Sequence, residues 1–365
     1  MRIAQVAPLF ESVPPKTYGG TERVVSWLTE ELVRLGHEVT LFASGDSMTT
    51  AELVPCSPES LRLSSGSMDH LAHHVAMLER VAQRKNDFDL VHFHIDYLHY
   101  PVSVRERYVS VSTLHGRLDI PDLVPLYEAY PNVPVVSISN AQREPLPNLN
   151  WQGTVYHGFP PETYKPSFKS GKYLAFLGRT SPEKGLDRAI EIASRVGMPL
   201  KVAAKIDKAD QEYFDTCVKP LLNSDNVEFL GEIGYPEKNR FLADATALLF
   251  PVAWPEPFGI VMIEAMACGT PVIAYPFGSI PEVIQDGVNG YIVPDIESAV
   301  SAVRDAMKLD RKKIRKSFEQ RFTASRMTQD YLKIYNRILS RKKGSLAVAD
   351  GVLNWMKLTS PSSTT

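Results

Sequence analysis

The sequence predicts two tandem doubly wound α/β domains that face each other across a cleft. Short, nearly continuous apolar runs alternate with helical stretches, which is typical of parallel strands covered on both faces. This rhythm occurs twice, and a segment with three prolines between Gly158 and Lys172 separates the two series as an interdomain linker. A length of 365 residues also fits two domains of ordinary size.

The first series begins with an apolar run, a loop rich in Pro and Gly, and a helical pattern with apolar residues at Val24, Val25, Leu28 and Leu32. Its strands are predicted at residues 3–6, 39–42, 90–93, 109–113 and 135–138. The second series predicts strands at residues 173–177, 200–203, 227–230, 247–250 and 271–274, and a helical pattern after Asp295. Because doubly wound sheets bind ligands outside the carboxyl ends of their strands, functional residues are expected in the loops there.

Charge and cysteine usage exclude several classes of protein. With 40 Lys and Arg against 42 Asp and Glu, the formal net charge is −2, so no overall field attracts nucleic acid or an anionic membrane. The three cysteines, Cys56, Cys217 and Cys268, lack the spacing of a zinc site or a disulfide framework. The N-terminus does not resemble a signal peptide, and no apolar run approaches the roughly 18 residues of a membrane span. We therefore expect a cytoplasmic protein.

One helical stretch near the C-terminus is strongly basic. Its cations are Arg304, Lys308, Arg311, Lys312, Lys313, Arg315, Lys316 and Arg321. A solvated helix face is the expected role, with weak peripheral membrane contact as the alternative.

Two carboxylates eight positions apart, Glu256 and Glu264, follow the predicted strand at 247–250. Gly259 between them is expected to open a helix whose first amides form an anion site. Eight helical residues span roughly 12 Å, which matches the distance between sugar and ribose in a nucleotide diphosphate sugar. The alternative is a solvated loop acid at Glu256 and a helix-surface or buried paired acid at Glu264.

A second polar loop, residues 178–185, carries Arg179 and Lys184 at another strand end. The two cations are expected to converge on one dianion such as a diphosphate leaving group, with a solvent-facing pair as the alternative. In the first domain, Gly19 and Gly20 permit close approach of a phosphate or sugar, although turn geometry explains them equally well. They do not form the GxGxxG pattern of a dinucleotide site.

His115 follows a predicted strand and is expected to face the cleft, whereas His92, His94 and His99 are expected to pack or cap. The sequence Asp87-Phe88-Asp89 is similar to a metal-binding DxD motif, but it precedes a strand, so we interpret it as a loop of solvated acids. No metal site is predicted.

Together these residues resemble the retaining glycosyltransferases of family 4, which have the GT-B fold of two Rossmann-like domains. The resemblance rests on an ordered set of motifs over nearly the whole chain: Gly19-Gly20, Gly178-Arg179, Glu183-Lys184-Gly185, the E-P-F-G-x-x-x-x-E pattern from Glu256 to Glu264, and Gly278-Ser279-Ile280-Pro281-Glu282. It implies an N-terminal acceptor-side domain at 1–165 and a donor-binding domain at 166–324. It also implies a helix at about 325–345 that packs back on the first domain, followed by a tail at 345–365.

The resemblance also implies residue roles. Arg179 and Lys184 would grip the donor diphosphate, Glu264 the ribose, and Glu256 the donor sugar. His115 would lie beside the transferred sugar, which makes His115, Glu256, Arg179 and Lys184 the expected catalytic residues. The amides near Phe258 and Gly259, together with Gly19 and Gly20, would complete the donor site.

The sequence departs from many relatives after the second strand of the second domain, where a Gly-rich turn is replaced by Ala203-Ala204-Lys205. Lys205 is therefore expected to add a third cation near the diphosphate, or Asp207 to narrow the choice of base. Asp96, Tyr97 and Asn140 are candidate acceptor contacts. The acceptor itself is expected to be a small molecule, a glycan or a lipid-linked molecule.

The implied reaction moves a hexose from a nucleotide diphosphate sugar to an acceptor hydroxyl, with retention and without a metal or other cofactor. UDP-glucose is the first expectation for the donor and GDP-mannose the second. Two alternatives are a UDP-sugar 2-epimerase on the same fold and a nucleotide-sugar-binding protein without turnover.

Overall fold

The computed structural model describes residues 1–16, 19–62, 64, 69–169, 171–224 and 226–359, with side chains for all of these except 223, 235, 236 and 342–359. Residues 17 and 18, just before Gly19, and residues 360–365 of the predicted tail lie outside this set.

Thirteen strands are present in the described part of the chain. Those of the first half are β1 Arg2–Val6, β2 Glu38–Ser44, β3 Glu52–Ser57, β4 Leu90–Phe93, β5 Ser110–Thr113, β6 Val135–Ser137 and β7 Trp151–Thr154. Those of the second half are β8 Tyr173–Arg179, β9 Leu200–Lys205, β10 Val227–Gly231, β11 Ala245–Phe250, β12 Val272–Ala274 and β13 Gly290–Ile292.

The α-helices alternate with these strands. In chain order they are α1 Gly20–Arg34, α2 His70–Gln83, α3 Tyr100–Glu106, α4 Leu123–Ala129, α5 Leu186–Val196, α6 Gln211–Tyr213, α7 Tyr235–Ala243, α8 Ile260–Ala267, α9 Ile280–Val283, α10 Ile296–Ala306, α11 Arg311–Arg321 and α12 Ala324–Thr359. Short 3₁₀ turns lie at Lys85–Asp87, Ala141–Arg143, Pro161–Thr163, Pro182–Lys184, Lys208–Asp210 and Lys219–Asn223, and a π-helical turn at Phe214–Val218.

The strands form two parallel sheets, which confirms the predicted tandem Rossmann-like architecture. Their orders are β3-β2-β1-β4-β5-β6-β7 and β10-β9-β8-β11-β12-β13. In each sheet the first strand in sequence lies between two others. β1 lies between β2 and β4, and β8 lies between β9 and β11. The carboxyl ends of β1 and β8 therefore lie at the topological switch points, where such folds bind ligands.

The ten predicted strands all exist, but the apolar pattern does not predict β3, β7 and β13. All three lie at the edges of their sheets. An edge strand is covered on fewer sides, so it needs no continuous apolar run, and β3 even contains Pro55. The central strands are recognisable because both of their faces are buried, as the wholly buried β4 and β11 show.

The final helix α12 packs on the first sheet. Its side chains Met327, Tyr331, Ile334 and Tyr335 join the same core as Ile3, Val24 and Leu28. The chain thus crosses between the domains twice, and the two crossings touch: Phe159 N donates to Phe322 O at 3.1 Å, and Ala324 N donates to Phe159 O at 3.0 Å. A Cβ on Gly158 would lie 2.3 Å from Thr323 O, so a larger residue there would separate the crossings.

The expectation of a solvated basic face is wrong for three of the eight cations. Arg311, Arg315 and Arg321 are half-buried and donate to backbone carbonyls, including Ala243 O at 2.8 Å and Ala267 O at 2.7 Å. These guanidiniums join α11 to the second domain, whereas Arg304, Lys308, Lys312, Lys313 and Lys316 are exposed. No helix in the described chain combines the length and apolarity that a membrane span requires.

Candidate active site

A cavity of about 580 Å³ lies between the two domains at the carboxyl ends of their strands. All of the predicted catalytic and donor-binding residues line it: Gly19, Gly20, His115, Arg179, Lys184, Lys205, Glu256, Phe258, Gly259 and Glu264. A cavity of this size accommodates an extended small-molecule ligand. Residues that are far apart in the sequence therefore meet in one cleft.

The first domain contributes the start of α1. Gly19 precedes the helix with φ 154°, and a Cβ there would lie 2.7 Å from Pro15 Cβ, so this turn requires glycine. A Cβ on Gly20 would meet no described atom within 4 Å, so packing does not explain that glycine. Instead, Gly20 leaves backbone at the helix N-terminus open toward the cleft.

The loop before α8 is held by the predicted Gly278-Ser279 motif. A Cβ on Gly278 would lie 2.4 Å from the backbone N and O of Glu256, and Ser279 N donates to Glu256 O at 2.9 Å. Ser279 Oγ also donates to Phe258 O at 2.9 Å. The role of this motif is therefore to fix the backbone from Glu256 to Phe258.

The start of α8 corrects one expectation. The helix begins at Ile260 and Gly259 caps it with φ 72°, so the segment from Glu256 to Gly259 is not helical. The span of roughly 12 Å, which assumed eight helical residues, therefore does not apply. The α8 N-terminus nevertheless lines the cleft, because Gly259 and Ile260 both form part of its wall.

Lys184 and Glu256 form an ion pair at 2.5 Å, and both side chains are largely buried. Trp254 Nε1 donates to the same carboxylate oxygen, Oε2, at 2.9 Å, and Lys184 Nζ lies 4.8 Å from the Trp254 ring centroid. Neither contact uses Oε1 of Glu256. The alternative of a solvated loop acid at Glu256 is therefore wrong.

Arg179 lies among acids rather than beside Lys184. Its guanidinium is 3.1 Å from Glu183, 3.8 Å from Asp207 and 3.9 Å from Asp210. Lys205 Nζ pairs with Asp207 at 2.6 Å. Each cation of this wall thus has a carboxylate partner, and the convergence of Arg179 and Lys184 on one dianion stays a prediction.

Glu264 is a buried paired acid, the alternative that the spacing left open. Tyr164 Oη donates to its Oε1 at 2.7 Å, and Lys238 Nζ lies 3.1 Å from the same oxygen. The sequence predicts neither partner, because Tyr164 lies in the linker and Lys238 in α7, where no motif marks them.

His115 belongs to a chain of hydrogen bonds that leads away from the cleft. His94 Nδ1 lies 2.9 Å from His115 Nε2, and His94 Nε2 lies 2.8 Å from Oε1 of Gln5. Nε2 of Gln5 donates to Tyr335 Oη of α12 at 3.4 Å. With the Gln5 amide in this orientation, His94 donates from Nε2, His115 donates to His94, and Nδ1 of His115 carries a lone pair.

The Nδ1 atom of His115 is buried and has no hydrogen-bond partner in the described part of the chain. Desolvation lowers the pKa of His115 to about 3 and that of His94 well below its ordinary value, so both rings are neutral at neutral pH. His115 lines the cleft, and its Nδ1 is a buried hydrogen-bond acceptor that no described group uses. His94 supports it and does more than pack, whereas His92 and His99 hydrogen-bond within the first-domain core.

His157 also lines the cleft, and no sequence motif predicts it. Its ring stacks on His115 with centroids 5.4 Å apart and meets the Phe258 ring edge-on at 4.8 Å. His157 follows β7, the edge strand that the apolar pattern did not reveal. His157 thus contacts a cleft residue of each domain, His115 in the first and Phe258 in the second.

The three candidate acceptor residues do not lie at one site. Asp96 and Tyr97 line a second cavity of about 360 Å³, which shares Phe10, Thr21, Glu22, His115 and Gly116 with the first. Asn140 lines neither cavity. Its backbone N and Nδ2 donate to Glu282 at 2.8 and 2.9 Å, and Tyr156 Oη donates to the same oxygen at 2.8 Å. Asn140 is thus part of an interdomain contact.

Asp87 and Asp89 pair with Arg84 and Arg2 at the surface, as expected of solvated acids. Across the described residues, no three or more His, Cys, Asp or Glu side chains are grouped so as to hold a metal ion.

Two family models match the chain. The model described as Glycosyltransferase Family 4 matches residues 18–150, and the model described as Glycosyl transferases group 1 matches residues 163–323. Together they cover the chain from α1 to the end of α11 except for residues 151–162.

Two relatives match this chain over most of their length, and one solved structure has a similar fold. A phosphatidyl-myo-inositol mannosyltransferase of Mycobacterium leprae is 26% identical over 355 residues, covering 84% of this chain and 86% of the relative. An N-acetyl-alpha-D-glucosaminyl L-malate synthase of Bacillus anthracis is 27% identical over 371 residues, covering 89% and 96%. The fold is similar to that of Anabaena HepE, crystallised with UDP and glucose, at a TM-score of 0.71 and 19% identity over 92% of this chain and all of that one.

Proposed function

Since the chain belongs to the family 4 glycosyltransferases of the GT-B fold, we propose that it transfers a hexose from a nucleotide diphosphate sugar to an acceptor hydroxyl, with retention of configuration. The observation that carries this proposal is the interdomain cavity, which brings Arg179, Lys184 and the α8 N-terminus opposite His115 and Gly20. UDP-glucose is the first choice of donor and GDP-mannose the second.

The relatives support a hexosyl donor. One is named a mannosyltransferase, another joins an N-acetylglucosaminyl group to malate, and the structure similar in fold was crystallised with UDP and glucose. The two family models favour transfer over the 2-epimerase alternative. We also propose a reducing, cytoplasmic location, which the three free cysteines support.

In the proposed reaction the bond from the anomeric carbon to the diphosphate oxygen breaks as the acceptor oxygen bonds to the same face of that carbon. The acceptor's proton passes to the leaving phosphate, so no side-chain nucleophile is required. Negative charge grows on the diphosphate, where Arg179, Lys184 and the α8 amides stabilise it. Positive charge grows on the sugar ring, where Glu256 offsets it.

The ion pairs suggest how the donor is accepted. Diphosphate entering beside Arg179 and Lys184 competes with Glu183 and Glu256 for the same cations. Release of Glu256 from Lys184 would turn its carboxylate toward the sugar hydroxyls while the ammonium turns toward phosphate. His115, with its lone pair at Nδ1, would accept a hydrogen bond from a hydroxyl of the transferred sugar.

We propose that no metal is needed, because Arg179, Lys184 and Lys205 supply positive charge on the donor side of the cleft. Turnover should therefore persist in EDTA. Turnover that disappears in EDTA and returns with Mg²⁺ or Mn²⁺ would contradict this part of the proposal.

A thermal-shift screen against UDP, GDP and ADP tests the donor, since bound nucleotide raises Tm by mass action. The matching nucleotide sugar is then incubated without acceptor, and hydrolysis is followed by proton NMR. A rise in Tm with UDP and slow release of glucose are expected. No shift with any nucleotide would overturn the proposal, binding without hydrolysis or transfer would support the non-catalytic alternative, and conversion to a 2-epimer would support the epimerase.

A further inference from the structure

The second cavity lies within the first domain and opens into the donor cleft. Its described lining comes from the loops after β1, β4 and β5, the start of α1, and α2, and residues such as Glu22 and His115 also line the larger cavity. An acceptor bound there would present a hydroxyl beside the place proposed for the transferred sugar. Its lining therefore bears on which acceptors the enzyme takes.

The charged groups of this lining are acidic. Glu22 is 6% exposed, faces both cavities and has no cation partner within the described residues. Its burial raises its pKa to about 7. Asp96 accepts a hydrogen bond from His115 N at 3.4 Å, and desolvation raises its pKa to about 6.

The histidines of the second cavity add no positive charge. His74 donates from Nδ1 to His70 O at 2.8 Å and accepts from Leu9 N at Nε2, which fixes a neutral ring. Burial also lowers the pKa of His74, His94 and His115. No Lys or Arg is among the described residues that line this cavity.

Two aromatic side chains flank the acids. Phe10 is 45% exposed, with its ring 5.1 Å from His74, and Tyr97 is 37% exposed and meets Tyr127 edge-on at 6.5 Å. Exposed aromatic faces beside carboxylates suit a polyhydroxylated ring, which offers C–H groups to the aromatic face and hydroxyls to the acids.

We propose that the second cavity is the acceptor site and that it selects an uncharged saccharide, with Glu22 and Asp96 accepting hydrogen bonds from its hydroxyls and Phe10 and Tyr97 packing on its ring. The proposal rests on the glycosyltransferase function proposed above and narrows its acceptor. Within the second cavity a phosphorylated or carboxylated acceptor would meet two acids and no Lys or Arg of the described lining, so repulsion and desolvation disfavour it.

The test is a transfer assay with the donor identified by the nucleotide screen. One set of acceptors differs in charge: neutral methyl glucoside is compared with the anions glucose 6-phosphate and glucuronate. A second set, glucose, maltose and maltotriose, is neutral and increases in length. The length series separates a free sugar from the end of a glycan as the source of the acceptor. We expect kcat/KM for neutral acceptors to exceed that for anionic ones by at least ten-fold.

Variants show whether this cavity causes the selectivity. Asp96→Asn keeps the backbone, because asparagine tolerates the φ of 49° at this position, and Glu22→Gln removes the other charge. The double variant should reduce the preference for neutral over anionic acceptors at least five-fold. Tyr97→Ala should lower transfer to methyl glucoside at least five-fold more than it lowers donor hydrolysis. Glu31→Gln, at a residue of α1 that lines neither cavity and pairs with Arg34, is the matched control.

Preference for a phosphorylated acceptor, or selectivity and transfer that these variants leave as in the native chain, would overturn the acceptor proposal. The nucleotide-induced rise in Tm and donor hydrolysis, measured on each variant, check its fold and donor site. If the native chain neither binds nucleotide nor hydrolyses donor, the glycosyltransferase proposal itself fails. If the donor turns over and the acceptor predictions fail, only the acceptor proposal does.

Discussion

Replacing Glu22 by Gln should stabilise the protein at alkaline pH, because this side chain is buried beside the cleft without a cation partner in the described chain. Desolvation raises its pKa from 4.5 to about 7. The native state therefore binds a proton that the unfolded chain releases, and stability falls as pH rises from 4.5 through 7. Above that window the Glu22 carboxylate is ionised while buried, and this lowers the stability of the folded state.

The magnitude follows from the shift. A change of about 2.5 pKa units corresponds to roughly 3 kcal/mol at pH 8, and to less than about 1 kcal/mol at pH 5, where most of the cost has not yet developed. The amide of Gln does not ionise. The gain in unfolding free energy of Glu22→Gln over the native chain should therefore be about 2.5 kcal/mol larger at pH 8 than at pH 5.

Urea unfolding of both proteins at the two pH values measures this difference. Glu31→Gln on the same helix is the control: its hydrogen bond with Arg34 lowers the pKa of Glu31, so this substitution should cost under about 1 kcal/mol at both pH values. A Glu22→Gln advantage that is the same at pH 5 and pH 8 would refute the argument.

Three further predictions concern the cleft, the domain contact and the buried histidines. Lys184→Met should lower kcat by roughly 10²–10³-fold in steady-state transfer while donor Kd changes much less, because its charge is needed most as the diphosphate leaves; an unchanged kcat would contradict this. Glu282→Ala removes the acceptor of hydrogen bonds from Asn140 and Tyr156 and should lower stability by roughly 2 kcal/mol, with calorimetry showing two domain transitions; a single transition at the native Tm would count against the contact. In the Glu22→Gln background, urea stability should fall as pH drops below 6.5, because burial lowers the pKa of His92, His94 and His99 and the unfolded chain then takes up protons that the native state excludes; a flat profile from pH 7 to pH 5 would be inconsistent with this.

The sequence predicted the centre of each sheet better than its edges. Strands such as β4 and β11 are buried on both faces and are therefore mostly apolar, whereas β3, β7 and β13 lie at edges and tolerate polar residues, Pro and Gly. Because the sequence does not predict β7, it does not predict His157 either. A residue can be placed at the end of a strand only when the strand itself is recognised.

For the cleft, the sequence indicated its cations and acids but not their partners. Arg179 is the last residue of the central strand β8, and Lys184 and Glu256 follow the central strands β8 and β11, which the local pattern reveals. Their pairing depends on how β8, β9 and α8 are juxtaposed, so Asp207, Asp210 and Trp254 carried no signal of a contact.

Arg315 shows the same limit at the back of the second domain. Its guanidinium donates to the carbonyls of Pro161, Tyr164 and Ala267, three groups that only tertiary structure brings together. In the sequence it is one cation in a basic helix, and nothing distinguishes it from exposed Lys316.

The central claim is that Arg179 and Lys184 hold the diphosphate of a nucleotide sugar in the interdomain cleft. Calorimetric titration of UDP and uridine into the native chain and Arg179→Ala tests it most directly, with Arg195→Ala on the surface of α5 as the control. The diphosphate should bind the native chain much more tightly than the nucleoside, and Arg179→Ala should lose roughly 30-fold in UDP affinity, about 2 kcal/mol, while uridine is unaffected. Equal UDP affinity in the native chain and Arg179→Ala would contradict the account.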